Sequence, residues 1–153
     1  MKFKCPLIVV NDMAASRKFY EDILGQKVIL DFGANITFAG DFCLQTKETW
    51  ADFIDKSEDD VIAESNSFEL YFEEEQFDDF VDRLQKHEIQ FVHDVKEYPW
   101  GQKVIRFYDP DMHIIEVGES MVTVVKRFLT QGLSVEETAQ RTQHPIEFVR
   151  SCL

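Results

Sequence analysis

Cysteine is scarce in this chain: three of 153 residues, Cys5, Cys43 and Cys152, an odd number, widely spaced and without a Cys-x-x-Cys pair. That argues for free thiols in a reducing compartment rather than a disulfide framework, so a cytoplasmic protein is expected. Basic residues are short too, with 16 Lys and Arg against 29 Asp and Glu, for a formal net charge of -13. The densest basic neighbourhood is Lys126-Arg127. No basic patch exists to hold nucleic acid or an anionic membrane, which excludes both as general partners. Long apolar runs are missing: MKFKCPLIVVND breaks off at Asn11-Asp12, and nothing reaches the roughly 18 residues of a membrane span. Neither a membrane helix nor a secretory signal is expected. What is present is ordinary globular material, 44% hydrophobic and 29% charged. A chain of this length buries roughly two thirds of its unfolded surface, so it needs no metal or disulfide merely to fold.

The pattern along the chain is repetitive. Residues 3 to 10 (FKCPLIVV) read as a strand covered on both faces, with Pro6 marking an edge or bulge. Asn11 or Asp12 caps a helix over 13 to 23, where Ala15, Phe19 and Ile23 recur beside Ser16 and Tyr20. Strands follow at 27–32, 35–39 and 41–46, with Gly33 and Gly40 at the turns. Residues 47 to 66 break the pattern, rich in acids and carrying Trp50, Phe53 and Ile54; they read as a connecting loop, either a ligand wall or a linker pinned by Trp50 and Phe53. The order then repeats: a strand at 67–72, a helix at 76–87 with Phe77, Phe80, Val81 and Leu84 on one face, and strands at 89–95, 103–108 and 113–118 around the turn DPDM. A duplicated strand-helix-three-strand unit is the main structural expectation, as units 1–46 and 67–121 of one α+β domain, 1–121.

Residues 122 to 153 form a helical extension. One helix ends at Gly132, a second over 135–142 opens with the capping box SVEE at Ser134 and Glu137, and Pro145 opens a third. The segment has the outline of a helix-turn-helix, but its acids argue against DNA and for packing on the body or on a partner subunit.

VVNDMAASRKFYEDILG and YPWGQKVIRFYDPDMHIIEV together resemble the glyoxalase, bleomycin-resistance and extradiol-dioxygenase (vicinal oxygen chelate) superfamily, over roughly residues 3 to 119. The resemblance implies two βαβββ units forming a curved eight-stranded sheet with outer helices, a site inside the curve, and a homodimer. In metal-dependent relatives the ligands come from the first and last strands of each unit. The matching positions here are Cys5, Gln45, Glu69 and Glu116, which would hold one divalent ion (Zn, Ni, Mn or Mg). None of the four is histidine; His87, His93, His113 and His144 fall elsewhere.

Glu69 and Glu116 also stand out from the residues alone. Each lies between apolar neighbours in a strand, where a carboxylate is costly unless paired, hydrogen-bonded or metal-bound. Arg106 on the same face would satisfy either without a metal, so a metal-free pocket is the first expectation and one divalent ion the alternative. Three functions follow. The first is a binder of a small cationic or aromatic molecule, with Trp50, Tyr71, Trp100, Arg106 and Tyr108 as contacts. The second is a metal-dependent lyase or isomerase of the glyoxalase I type with Glu116 or Glu69 as base. The third is a non-catalytic oligomeric scaffold.

Overall fold

In the computed structural model, which describes residues 1–153, the first helix begins where Asp12 can cap it. The Asp12 carboxylate accepts from the backbone N–H groups of Ala14 and Ala15 at 2.9 and 3.0 Å, satisfying donors that the first turn leaves free. The elements of this part are β1 (Leu7–Val10), α1 (Met13–Asp22), β2 (Val28–Asp31), β3 (Asn35–Phe38) and β4 (Cys43–Thr46). Their sheet runs β1-β4-β3-β2, with β1 parallel to β4 and the other pairs antiparallel. The first strand is shorter than expected. Its ladder starts at Leu7 opposite Cys43, and Phe3 is 80% exposed. Pro6 has no N–H to offer and only its carbonyl takes part, accepting from Cys43 N at 3.0 Å.

The buried row of α1 also differs from the expected one. Ser16 and Tyr20 are fully buried, whereas Ala15 is exposed and Phe19 half-buried. The reason is polar: Ser16 Oγ donates to Asp111 Oδ2 at 2.8 Å and Tyr20 OH donates to Asp109 Oδ2 at 2.9 Å. The DPDM turn, together with His113 (residues 109–113), thus belongs with residues 1–68 in one compact unit.

The connection at 47–66 is not a plain loop. It opens with α2 (Lys47–Phe53) and continues through a single 3-10 turn at Glu58–Asp60. Ala51 is its buried residue, Trp50 is half-buried, and Phe53, which with Trp50 would pin the segment in the linker alternative, is 70% exposed.

The second unit comprises residues 69–108 and 114–153. It repeats the order with β5 (Glu69–Glu74), α3 (Phe77–Leu84), β6 (Phe91–Glu97), β7 (Lys103–Tyr108) and β8 (Ile114–Glu119). The sheet order, β5-β8-β7-β6, reproduces the first, including the parallel pairing of first and last strands. The eight strands therefore form two four-stranded sheets. Phe77, Phe80, Val81 and Leu84 bury one face of α3, as their spacing predicts.

Three further helices close this unit: α4 (Met121–Thr130), α5 (Val135–Thr142) and α6 (Ile146–Ser151). Ser134 and Glu137 form the expected reciprocal cap of α5. Val125, Ala139, Val149 and Cys152 make one small core among these helices. Met121, Val124 and Phe128 of α4 make another, against which Trp100 packs. No helix is long and apolar enough to cross a membrane.

Candidate functional site

The pleat of the second sheet decides which side chains meet. Side chains alternate between faces, and paired residues share a face. The registers Tyr71↔Glu116 and Arg106↔Glu116 set those three side by side, with Glu69 and Glu73 two residues either way along β5. Ile105, Phe107, Ile115 and Val117 point to the opposite, buried face.

Arg106 is the centre of this polar face. Its Nε donates to Glu69 Oε2 at 3.0 Å, and Nη2 is paired with Glu116 Oε2. Nη1 donates to Tyr98 OH at 2.7 Å and lies 3.3 Å from His93 Nε2. The guanidinium also sits 5.7 Å from the centre of the Tyr98 ring, a cation–π contact. Burial works against the charged guanidinium, but the bonds to Glu69 and Tyr98 outweigh it and hold Arg106 above its ordinary value. Glu116 is buried and Glu69 is exposed at the rim.

A second chain of hydrogen bonds borders the first. Tyr71 OH donates to Glu73 Oε1 at 2.9 Å and accepts from Gln102 Nε2 at 2.8 Å. Burial pushes the Tyr71 phenol up to about 12, with Glu73 adding to the rise and Gln102 opposing it. Gln102 is itself buried: its Nε2 also donates to the Glu119 carbonyl and its Oε1 accepts from Trp100 Nε1 at 3.0 Å. Trp100 stacks on Tyr98 at 4.7 Å between ring centres, so its ring supports the Tyr98 wall. A Cβ at Gly118 would lie 2.6 Å from Gln102 Nε2 and 3.1 Å from the Tyr71 ring, so any larger residue there would displace the Gln102 amide.

Of the expected contacts, Arg106, Tyr71, Glu69 and Glu116 therefore share one face. Tyr108 alternates onto it opposite Ile114, Trp100 stands behind Tyr98, and Trp50 belongs to α2 of the first unit. Three participants escaped the sequence: His93, Tyr98 and Gln102. Simple alternation does not signal His93, because a register shift after Phe91, which pairs with Phe107, turns His93 onto the face of Arg106.

The equivalent face of the first sheet is uncharged. Gln45 is buried; its Oε1 accepts from Asn35 Nδ2 at 2.9 Å and its Nε2 donates to Thr49 Oγ1. Cys5 Sγ lies 2.9 Å from Cys43 Sγ. Asn35 opposite Gln45 stands where Arg106 stands opposite Glu116. By strand register the counterpart of Glu69 is Leu7, not Cys5: Leu7 and Glu69 each lie two residues before the partner of Gln45 or Glu116.

The four expected ligands do not fit a metal. Both carboxylates are committed to one guanidinium, and the Gln45 amide is engaged at both ends. The hydrogen bond with Cys43, together with burial, pushes the Cys5 thiol up, away from the thiolate a metal would need. No group of three or more His, Cys, Asp or Glu side chains is arranged to hold an ion.

Two βαβββ units in succession, each pairing its first strand in parallel with its last, are the fold shared with glyoxalase-like proteins. The chain belongs to that family: the model of the glyoxalase-like domain matches residues 3–122. Among solved structures it is similar to a protein of unknown function from Agrobacterium tumefaciens str. C58, with 34% identity, 78% of this chain and 94% of that one covered, and a TM-score of 0.69. A lactoylglutathione lyase from Agrobacterium tumefaciens shares the fold at 20% identity, with 79% and 95% covered and a TM-score of 0.60. A glyoxalase/bleomycin resistance protein/dioxygenase family enzyme from Burkholderia phytofirmans PsJN does so at 14% identity, with 76% and 96% covered and a TM-score of 0.66. No curated protein matches the chain.

Proposed function

We propose that this protein is a small-molecule binder that takes a cationic, planar ligand on the polar face of its second sheet, without a metal. The observation that carries this is the composition of that face. Three carboxylates, Glu69, Glu73 and Glu116, stand against Arg106 and Lys96, which shares the face through its pairing with Val104, so the face keeps a surplus of one negative charge. Tyr71, which is 46% exposed, and Tyr98 supply aromatic surface beside it. Carboxylates at the rim and flat aromatic rings are what an organic cation needs for charge and stacking. Arg106 fixes Glu116 and Tyr98 in place, and Gln102 fixes Tyr71.

The test uses protein dialysed against a chelator and a set of planar aromatic cations, with neutral analogues of the same shape. A Trp50→Phe variant leaves Trp100 as the single tryptophan, and its stacking on Tyr98 makes its emission report on that wall. Quenching by the cations and not by the neutral analogues is expected. Glu69→Gln and Glu73→Gln should each weaken binding by about 2- to 5-fold, the scale of one exposed charge pair. Equal binding of neutral and cationic probes, or binding that appears only after a divalent metal is added, would overturn the proposal.

A further inference from the structure

The thiols of the first sheet form a pair that the polar face of the second sheet does not involve. Cys5 and Cys43 are 38 positions apart in sequence, yet their sulfurs lie 2.9 Å apart, closer than two non-bonded sulfurs ordinarily approach. The backbone explains the juxtaposition. Cys43 sits on β4 opposite Leu7, and its N–H donates to the Pro6 carbonyl at 3.0 Å. Cys5 lies two residues before Leu7, just ahead of β1, and the bond from Cys43 N–H to the carbonyl of its neighbour Pro6 keeps this segment alongside β4. The following proline confines Cys5 to extended backbone, so its thiol is held over the adjacent strand rather than free to swing away. Thr37 Oγ1, 3.4 Å from Cys43 Sγ, holds the other member from β3.

We propose that Cys5 and Cys43 are a reversible oxidation site, closing to a disulfide between the segment just before β1 and strand β4 when the protein meets hydrogen peroxide. Access is asymmetric, since Cys5 is half-buried and Cys43 buried. The peroxide oxygen is therefore transferred to Cys5: the O–O bond breaks, Cys5 becomes a sulfenic acid, and one water leaves. The Cys43 sulfur then attacks the Cys5 sulfur. An S–S bond forms, the Cys5 S–O bond and the Cys43 S–H bond break, and a second water leaves. A two-electron oxidation of the thiol pair thus balances the two-electron reduction of the peroxide. The sulfurs have only about 0.9 Å to travel to bonding distance. Cys152 is buried in the helical core of the second unit, with its thiol donating to the Phe148 carbonyl, and takes no part. The Cys43 bond and burial that raise the Cys5 thiol make the first step slow at neutral pH and faster as pH rises, because the thiolate is the nucleophile.

The test is a non-reducing peptide map of full-length protein after hydrogen peroxide, with remaining thiols alkylated. A Cys5–Cys43 cross-link within one chain is expected, with the loss of two hydrogens, while Cys152 stays alkylated. Dithiothreitol should restore both thiols. The Cys152→Ser variant should cross-link as the wild type does, and Cys5→Ser should leave Cys43 alkylatable. Three results would each sink the proposal: sulfinic acid accumulating on Cys5 while Cys43 stays free, linked peptides that join two chains, or a bond that includes Cys152. None of these readouts depends on ligand binding at the second sheet, so the two proposals fail separately.

Discussion

Arg106 meets Glu69, Glu116, Tyr98 and His93 on one sheet face, so replacing it does two things at once. It leaves the buried Glu116 carboxylate without a counter-charge, and it frees Tyr98. Arg106→Met should cost about 2–4 kcal/mol in urea unfolding at neutral pH, less than a fully enclosed pair because Glu69 is at the surface. Adding Glu116→Gln should recover much of that loss, since the unpaired charge is then gone. A double variant less stable than Arg106→Met alone would show that the ion pair is not what the arginine supports. His113 gives a different signature. Its Nδ1 lies 2.9 Å from Asp109 Oδ2; burial opposes its charged form, but Asp109, with a smaller contribution from Asp111, raises it above the ordinary 6.5. A group raised on folding lends stability that is whole below its unfolded value and fades as pH climbs through the folded one. The stability gap between wild type and His113→Gln should therefore be widest below the ordinary 6.5 and shrink as pH climbs above it. A gap that stays constant would mean that His113 is packed there as a neutral ring.

Among the elements, the turn between β6 and β7 has the most consequential neighbour. It carries Tyr98, Trp100 and Gln102, and α4 lies directly on it. Arg127 Nη2 donates to the Gly101 carbonyl at 2.5 Å and to Glu119 Oε2 at 3.0 Å. Gly101 has φ +87°, and a Cβ there would come within 2.3 Å of the Phe128 ring. Gly101→Ala should cost about 2–4 kcal/mol from the left-handed backbone and the clash together. In a Phe128→Ala background the same change should cost only the backbone part, about 1–2 kcal/mol. Equal costs in both backgrounds would remove α4 as the support of this turn. Most of α4, and all of α5 and α6, lie beyond the family match at residue 122, so this support is an addition to the shared architecture.

These elements were not equally legible in the chain. The helices α3 and α5 announce themselves because four apolar residues at helical spacing, or a Ser-x-x-Glu box, are local signals. By contrast, α2 packs through little more than Ala51, which leaves no periodicity to read. Glu69, Glu116 and Arg106 were visible as charges in apolar strands. His93 was not, because β6 pairs with β7 through two register shifts that spoil the simple alternation, and Tyr98 lies past the end of β6, where no strand pattern applies. Gln102 has no pattern at all; only the positions of Tyr71, Trp100 and Glu119 give its amide a purpose. Cys5 shows the limit of spacing: counting back from the helix cap aligns it with Glu69, whereas the strand register aligns Leu7.

For the whole chain, a formal charge of -13 sets a background of self-repulsion that few cations offset. Screening should relieve it. Raising sodium chloride from roughly 0.02 to 0.5 M should increase the melting temperature, and a decrease would mean that specific ion pairs outweigh the repulsion. The DPDM turn carries a consequence of another kind. Asp109 and Asp111 supply the partners of Tyr20, Ser16 and Asn11 across 89, 95 and 100 positions of sequence. During synthesis, everything needed for the first sheet leaves the ribosome early, yet the hydroxyl of Tyr20 has no acceptor until residue 109 follows. The first half of the chain must therefore wait, unfinished, for most of the second to be made.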